Sequence, residues 1–449
     1  MSRIRAGTAD ASTRLVGASR QPAARLTAGW RDSPRTAGLR EHTQTYGALP
    51  RPGSGRQRAA LAAAVGEAGL TGRGGAAFPT GTKLRAVAAR RGRAVVVANG
   101  MEGEPASEKD QALMSRAPHL VLDGAAAAAE AVGADDVHLC LPRPRQWLVE
   151  LMTDAIAERQ RAGLDQVAFN VQELPDHYVS GEETALVRWL NGAEAKPTAT
   201  PPRPSEKGVG RRPTLVDNVE TLAHVALIAR YGPAWFRQAG LPHAPGTMLV
   251  TVSGAVAEPG VYEIELGTVL GDVLAMSGSS GQASAVLLGG YFGSWHPIDA
   301  VAGVPVTAGD MRRVGASPGA GVVVVLTPET CGLAETARVL AYLASQSAGQ
   351  CGPCAFGLPA VADDFAQLAS GRPQGQVLDR LERRLAAITG RGACRHPDGA
   401  TRLAASALAA FAPDARAHAS HRPCRSGQHG RSRPAVLPVP PSSAAGAWL

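Results

Sequence analysis

Short apolar runs alternate with longer amphipathic ones over the first half of the chain. Ala94–Ala98 (AVVVA), Val137–Leu141 (VHLCL) and Val167–Val171 (VAFNV) have the length and character of buried strands. Between them lie an Ala-rich helix, Pro118–Val132, with Pro suited to its first turn, and an amphipathic helix, Trp147–Arg161. A helix over 57–69 precedes them, and helices starting at Glu182 and Asn218 follow. Strand–helix–strand–helix–strand predicts a doubly wound α/β domain with a parallel sheet. After Gly240 the period changes. Thr247–Val252, a turn at Glu258-Pro259-Gly260 and Val261–Ile264 read as a hairpin, with a short helix near Val269–Met276 and strands at Ala285–Leu288 and Val322–Leu326. This is a small α+β module. From Thr330 the pattern is helical: Glu335–Ser345, Leu358–Ala369, Val377–Thr389 and Ala400–Phe411, a four-helix bundle joined by cysteine-bearing loops. The expected division is a poorly ordered basic amino terminus (1–45), the α/β domain (46–240), the α+β module (241–328), the bundle (329–411) and a low-complexity tail (412–449).

Charge changes the picture only at the ends. The formal net charge is +8, yet residues 1–60 alone carry +8 and residues 412–449 carry +4, so the body is net −4. The basic ends read as solvated tails, and no basic face of the folded body points to nucleic acid. No apolar run reaches the roughly 18 residues of a membrane span. No apolar stretch follows Arg3 and Arg5, so no secretory leader is expected. With 6 cysteines and no export signal, a disulfide framework is not expected. Cys140 reads as a small core residue, Cys331 as either buried or functional, and Cys424 as inert within the tail.

Four segments and one cysteine set carry candidate chemistry. Gly72-Arg73-Gly74-Gly75 lets backbone amides approach an anion, with Arg73 and Lys83 adding charge; the bland alternative is a loop with turn glycines. A helix precedes this loop, so it is no Rossmann fingerprint. Asn99-Gly-Met-Glu-Gly-Glu-Pro105 leaves the carboxyl end of the first strand, where doubly wound sheets place ligands, and brings Glu102 and Glu104. Tyr178-Val-Ser-Gly-Glu-Glu-Thr184 enters a helix through Gly181, with Glu182 and Glu183 in its first turn. Pro213–Thr221 offers Asn218 and Thr221 at another helix start, where capping alone would account for them. Cys351 and Cys354, at C-x-x-C spacing, and Cys394 from a later loop suit an iron–sulfur cluster. A zinc site completed by His396 and buried inert thiols stay open as alternatives. A thioredoxin dithiol would need a preceding strand, and here a helix precedes.

Taken together, GRGGAAFPTGTK (72–83), NGMEGEP (99–105), APHLVLDG (117–124), YVSGEETAL (178–186), PTLVDNVETLA (213–223) and QSAGQCGPC (346–354) resemble the flavoprotein F subunit of bacterial NADH-quinone oxidoreductase, the FMN- and NADH-binding component of respiratory complex I. The resemblance covers roughly residues 60–411. It implies an FMN-binding α/β domain, a soluble-ligand-binding β-grasp (SLBB) module and a helical bundle carrying a [4Fe–4S] cluster. It implies that Gly72, Arg73, Gly74, Lys83, Asn99, Glu102, Tyr178, Gly181, Glu182, Asn218 and Thr221 line FMN. Phe78, Glu104 and Glu183 would face NAD(H), with Glu104 and Glu183 nearest the chemistry. Cys351, Cys354 and Cys394 would be metal ligands. The expected activity is an NADH dehydrogenase-like oxidoreductase that passes electrons to a ferredoxin-like or other redox protein. The expected location is cytoplasmic, peripheral to a membrane complex. The chain departs from the pattern at Ala348, where the family has its first cluster cysteine, and at Met101, Asp217, Thr200, Arg203 and Leu84. A non-thiolate fourth ligand or a three-iron cluster would answer the first departure. A non-catalytic scaffold with a lost or zinc-substituted cluster is the other reading.

Overall fold

The computed structural model describes residues 24–30, 35–50, 55–279, 281, 283–424, 435–441 and 448. The amino-terminal body holds α1 (Leu39–Tyr46), α2 (Gly55–Ala68), α3 (Thr80–Ala88), β1 (Ala94–Asn99), α4 (Lys109–Arg116), α5 (Pro118–Val132), β2 (Ala134–Pro142), α6 (Gln146–Arg161), β3 (Ala168–Leu174), α7 (Glu183–Leu190), β4 (Thr214–Asn218) and α8 (Val219–Phe236). The strands form a wholly parallel sheet in the order β3-β2-β1-β4. Because side chains alternate along a strand, the central strands feed two packed layers. Val96, Ala98, Leu139 and Leu215 join the layer containing residues of α5, α6 and α8. Val95, Val97, Cys140 and Val216 join Leu186 and Val187 of α7 on the other face. Cys140 is a fully buried core residue, as its apolar run implies.

α5 and α8 approach so closely that a Cβ added at Gly124 would lie 1.8 Å from the Leu222 carbonyl oxygen. One residue earlier, Asp123 is buried and takes Arg159 Nη1 at 2.7 Å, His42 Nε2 at 2.7 Å and the Arg230 guanidinium. Burial opposes its charge, but the His42 hydrogen bond and the two guanidiniums hold this carboxyl below the usual range. The cluster ties α1, α5, α6 and α8 together.

The middle module holds β5 (Gly240–Leu241), β6 (Ala244–Pro245), β7 (Thr247–Gly254), β8 (Gly260–Glu265), α9 (Leu270–Met276), β9 (Ala285–Leu288), β10 (Ser294–Pro297), α10 (Ile298–Val301), α11 (Ala308–Arg313) and β11 (Val322–Leu326). Its sheet runs β10-β9-β11-β7-β8, with β11 parallel to β7 and the other pairs antiparallel. Val286, Leu288, Val323 and Val325 pack with Val273 of α9. The opposite face, with Leu287, Val322 and Val324, packs into the helical bundle. That bundle holds α12 (Gly332–Ser345), a π-type turn (Pro353–Gly357), α13 (Leu358–Ala369), α14 (Val377–Ile388), α15 (His396–Ala410) and α16 (Ala412–Ala419).

Both ends differ from expectation where they are described. The amides of Arg25, Leu26 and Thr27 each donate at 3.0 Å to the buried Glu263 carboxylate of β8. Arg25 also donates to Phe236 O (2.8 Å), and Leu26 is buried. An acceptor that collects three successive amides holds a segment whose composition alone shows no order; residues 1–23 lie outside the described residues. At the other end α16 extends the bundle past residue 411. Beyond it, Leu437 is buried and its amide donates to Glu335 (2.9 Å).

Substituting Gly124→Ala is expected to destabilise the protein by about 2 kcal/mol or more, because neither backbone at that crossing has room to retreat. Gly303→Ala, with no atom within 4 Å of the added carbon, is expected to be near neutral. Denaturant midpoints of the two variants would check the contrast.

Candidate functional site

β1 and β4 lie side by side in the sheet, and their last residues, Asn99 and Asn218, face each other in register. The chain leaves β1 towards β2 on one side and returns to β4 on the other. The carboxyl ends of these two strands are therefore the switch point where open α/β sheets bind ligands. Asn218 caps α8: its Oδ1 accepts from Glu220 N (3.0 Å) while its Nδ2 donates to Asp110 Oδ2 (2.6 Å). Asn99 Nδ2 donates to Gly181 O (2.9 Å), joining the strand end to the segment before α7. Glu182 caps α7, accepting from Thr184 N (2.9 Å) and Ala185 N (3.2 Å).

The glycine-rich loop closes the cleft from the other side. Gly72 N donates to Phe78 O (2.9 Å), and Arg73 N donates to Thr221 Oγ1 (2.9 Å), which docks the loop on the first turn of α8. A Cβ on Gly74 would lie 3.4 Å from that of Asn218, and one on Gly181 would lie 3.0 Å from that of Met101. Larger residues would fill the cradle. Lys83 of α3 donates to Val216 O and stands 3.5 Å from Glu183 and 3.6 Å from Asp217. Burial works against its charge, but the two carboxylates outweigh burial and raise its pKa. Phe78, 46 % exposed, and the similarly open side chain of Glu183 remain accessible.

Other predicted residues are placed differently. The Arg73 guanidinium is buried and turned towards β7, where it donates to Thr247 O (2.9 and 3.2 Å). Its Nη1 also donates to Thr71 O (2.9 Å) and Thr71 Oγ1 (2.8 Å), so the side chain braces the start of the glycine loop. The Glu102 carboxylate is taken up by its own surroundings, accepting from Ser107 Oγ (2.7 Å), Asp110 N (2.9 Å) and Gln111 N (2.9 Å). These bonds hold Glu102 at φ +29° and cap α4. Glu104 accepts from Tyr178 Oη (2.7 Å), Tyr291 N (2.7 Å) and Ala106 N (3.2 Å). Burial pushes its pKa up to about 7 against the pull of those hydrogen bonds. The Tyr178 ring lies 4.7 Å from Phe292, 5.9 Å from His396 and 6.2 Å from Tyr342. The α/β domain, the middle module and the bundle thus meet on this residue.

The three cysteines converge from two loops of the bundle. Cys354 N donates to Cys351 O (3.0 Å) at the start of the π-type turn. The Cys354 thiol is pushed up to about 12 by burial and by its neighbours Cys351 and Cys394. Cys394 stands just before α15, with the His396 amide directed at its sulfur. Burial raises the Cys394 pKa and that amide lowers it, while the Glu182 carboxylate raises it further. Gln346 Oε1 accepts from Tyr178 N (3.2 Å) and Gln350 Nε2 donates to Pro197 O (2.8 Å), so the loop containing Ala348 is pinned against the α7 region. His396 Nε2 donates to Leu343 O (2.7 Å), which leaves its buried Nδ1 without a partner.

Several residues escaped the sequence reading. Lys109, Asp110 and Glu220 form a buried network: Lys109 Nζ lies 2.7 Å from Asp110 Oδ1 and 2.8 Å from Glu220 Oε2. Glu220 Oε1 accepts from Leu249 N of β7 (2.8 Å). In sequence these are ordinary charged residues near helix starts, and no local signal marks them as buried. Gln346 and Gln350 were visible only as part of the cysteine segment. Trp448, whose ring stacks at 3.8 Å on His177, had no sequence signal.

The residues fit the groups that the motifs imply. The cleft combines a glycine cradle, helix starts and a lysine held charged by two acids. Beside it, Ser180 Oγ and Asp217 Oδ2 are buried without hydrogen-bond partners. That donor set suits a polar, anionic, planar ligand such as FMN. Cys351, Cys354 and Cys394, near enough to interact electrostatically, suit an iron–sulfur centre with three thiolates rather than four.

Comparison with known proteins agrees. The Nuo51 FMN-binding domain family matches residues 65–227, the SLBB domain 249–278 and the NADH-ubiquinone oxidoreductase-F iron–sulfur binding region 334–418. The second F subunit of NADH-quinone oxidoreductase in Rhizobium meliloti is 32% identical over 374 residues, covering 80% of this chain and 89% of its own length. The mitochondrial NADH dehydrogenase [ubiquinone] flavoprotein 1 of Dictyostelium discoideum is 30% identical, covering 77% of this chain and 76% of its own. An NAD+-reducing [NiFe]-hydrogenase in its H2-reduced state contains a chain that matches with a TM-score of 0.78 at 31% identity, over 89% of this chain and 67% of that one. Fold and site define an iron–sulfur flavoprotein oxidoreductase with an FMN-binding domain. The chain belongs to the family of NADH-quinone oxidoreductase F subunits.

Because Glu104 binds its proton more tightly folded than unfolded, its burial costs nothing at low pH. Stability is lost as pH rises from about 4.5 towards about 7. Glu104→Gln is expected to flatten that part of the profile. The check is the difference in Tm between wild type and variant from pH 4.5 to 8, which should grow in the variant's favour and level off above about 7.

Proposed function

We propose that this chain is the electron-input component of an NADH-linked redox assembly. When bound, FMN takes electrons in pairs and releases them singly, and an iron–sulfur centre carries single electrons. The observation that carries the proposal is the position of Glu182. It caps α7 at the flavin cleft and also acts electrostatically on Cys394. The two cofactor sites therefore flank the start of one helix.

The residues divide the work. Gly72, Gly74 and Gly181 keep the cradle open, while Asn99, Asn218 and Thr221 fix its walls. Lys83 supplies the positive charge. Phe78 and Glu183, accessible near Lys83, are placed to meet the nicotinamide nucleotide. Tyr178 donates to Glu104 and so joins their two loops, while Glu102 braces the start of α4. Cys351, Cys354 and Cys394 hold the metal centre, and the position of Ala348 leaves a fourth ligand to a non-thiolate donor. A partner redox protein takes the electrons onward. Among the described residues no helix is long and apolar enough to cross a membrane, so attachment to a membrane assembly would run through partner proteins.

Anaerobic reconstitution with FMN, iron and sulfide, followed by EPR with and without NADH, tests this reading. A flavin that bleaches on NADH addition and an NADH-reducible iron–sulfur signal are expected; protein that stays colourless and free of sulfide would leave the scaffold reading. Lys83→Met is expected to weaken FMN binding by about 10–100-fold, the worth of one charged hydrogen bond, as read by fluorescence titration. Ala348→Cys is expected to lower the reduction potential of the centre, since a thiolate replaces a weaker donor.

A further inference from the structure

Away from the cysteine trio, a second group of soft donors lies in the bundle. A ring nitrogen of His418 and the sulfurs of Cys331 and Cys424 all lie within 4.8 Å of one another, and His418 and Cys424 are buried. We propose that Cys331, His418 and Cys424 bind a zinc ion that ties the segment after α16 to the start of α12.

Each donor is prepared for that role by its surroundings. Cys331 is the residue before α12, at the amino-terminal end of that helix. A helix start of this kind favours a thiolate. His418 Nδ1 donates to Leu368 O (3.1 Å), which orients the ring and leaves the lone pair on Nε2. A backbone carbonyl on the far ring nitrogen is the usual support of a metal-bound histidine. Cys424 is 5% exposed although it sits in a stretch of Arg, Pro and Ser, a composition that gives no apolar reason for burial.

Two thiolates and one neutral imidazole form the Cys₂His set that zinc accepts with water as its fourth ligand. A disulfide between the two cysteines would use neither the histidine nor its support. The site is also placed to matter mechanically. Cys331 lies five residues past the end of β11, at the joint between the middle module and the bundle. One turn further along α12, Glu335 accepts from the amides of Val436 (3.3 Å) and Leu437 (2.9 Å). The chain on both sides of residues 425–434 is thus fixed to the same end of α12. Zinc would add a further fixing point at that end of α12, with its fourth coordination position left to water.

The full chain, purified anaerobically and given one equivalent of zinc, tests this by metal analysis and by X-ray absorption at the zinc edge, which does not see iron. About one zinc per chain is expected, with two sulfurs at about 2.3 Å and nitrogen or oxygen at about 2.0–2.1 Å. The double substitution Cys331→Ser/Cys424→Ser should lower zinc content tenfold or more and leave FMN, iron and sulfide unchanged. Cys351→Ser/Cys354→Ser should do the reverse. Should the first variant not fold, the wild-type edge spectrum decides alone, because zinc in the iron–sulfur site would show three sulfurs. Absence of zinc, zinc that follows Cys351 and Cys354, or a Cys331–Cys424 disulfide in anaerobically alkylated protein would each overturn the proposal. None of these outcomes depends on whether NADH reduces the flavin.

Discussion

Glu220 is the acid on which the cleft depends. It is buried with two cations, Lys109 at 2.8 Å and Arg73 at 3.9 Å, and it accepts the Leu249 amide of the middle module. Asp110 supplies the second negative charge, so two buried cations meet two buried anions. Removing one member of such a group typically costs about 3–5 kcal/mol, because the others stay buried and uncompensated. The group is therefore rigid. Through it the glycine loop, α4, α8 and β7 hold fixed positions relative to one another. A binding site built on such a frame needs little rearrangement when a charged ligand arrives.

The cysteine loop obeys the same logic from outside. Its thiols are not positioned by the bundle alone. Gln346 and Gln350 fasten it to Tyr178 and Pro197, and Arg188 of α7 adds a third bond to Gln350 at 3.0 Å. The α/β domain thus helps to fix where Cys351 and Cys354 stand relative to the cleft. These bonds act on the loop of Cys351 and Cys354 whether or not position 348 carries a thiol; Cys394 comes from the separate loop before α15.

Much of this was legible in the sequence, for reasons that differ by element. Pro118–Val132 and Leu358–Ala369 have the bounds that apolar spacing and Pro in the first turn imply. The apolar run Ala94–Ala98 stood out because β1 is covered on both faces. β4 was not legible: Thr214–Asn218 is five residues long with an aspartate near its end, and only its pairing with β1 makes it a strand. α4 was missed because Lys109 and Asp110, which look like surface residues, are buried in it beside Ala112, Leu113 and Met114. At the site, Asn99 and Asn218 end neighbouring strands in register, and Gly74 and Gly181 pack against Asn218 and Met101. The side chains of Arg73, Glu102 and Glu104 are turned to structural partners. Those partners, Thr247, Ser107 and Tyr291, are distant in sequence or carry no motif, so periodicity could not supply them.

The loop fastened by Gln346 and Gln350 has a consequence for biogenesis. The cleft opens with Gly72, whereas Cys394, on a later loop than Cys351 and Cys354, comes more than 300 residues on. A ribosome delivers these pieces in order, and the α/β layers can condense long before the bundle exists. Flavin can thus meet a nearly finished cradle during translation. The inorganic centre has to wait until α15 has docked, so maturation factors would encounter a chain already loaded with its organic cofactor.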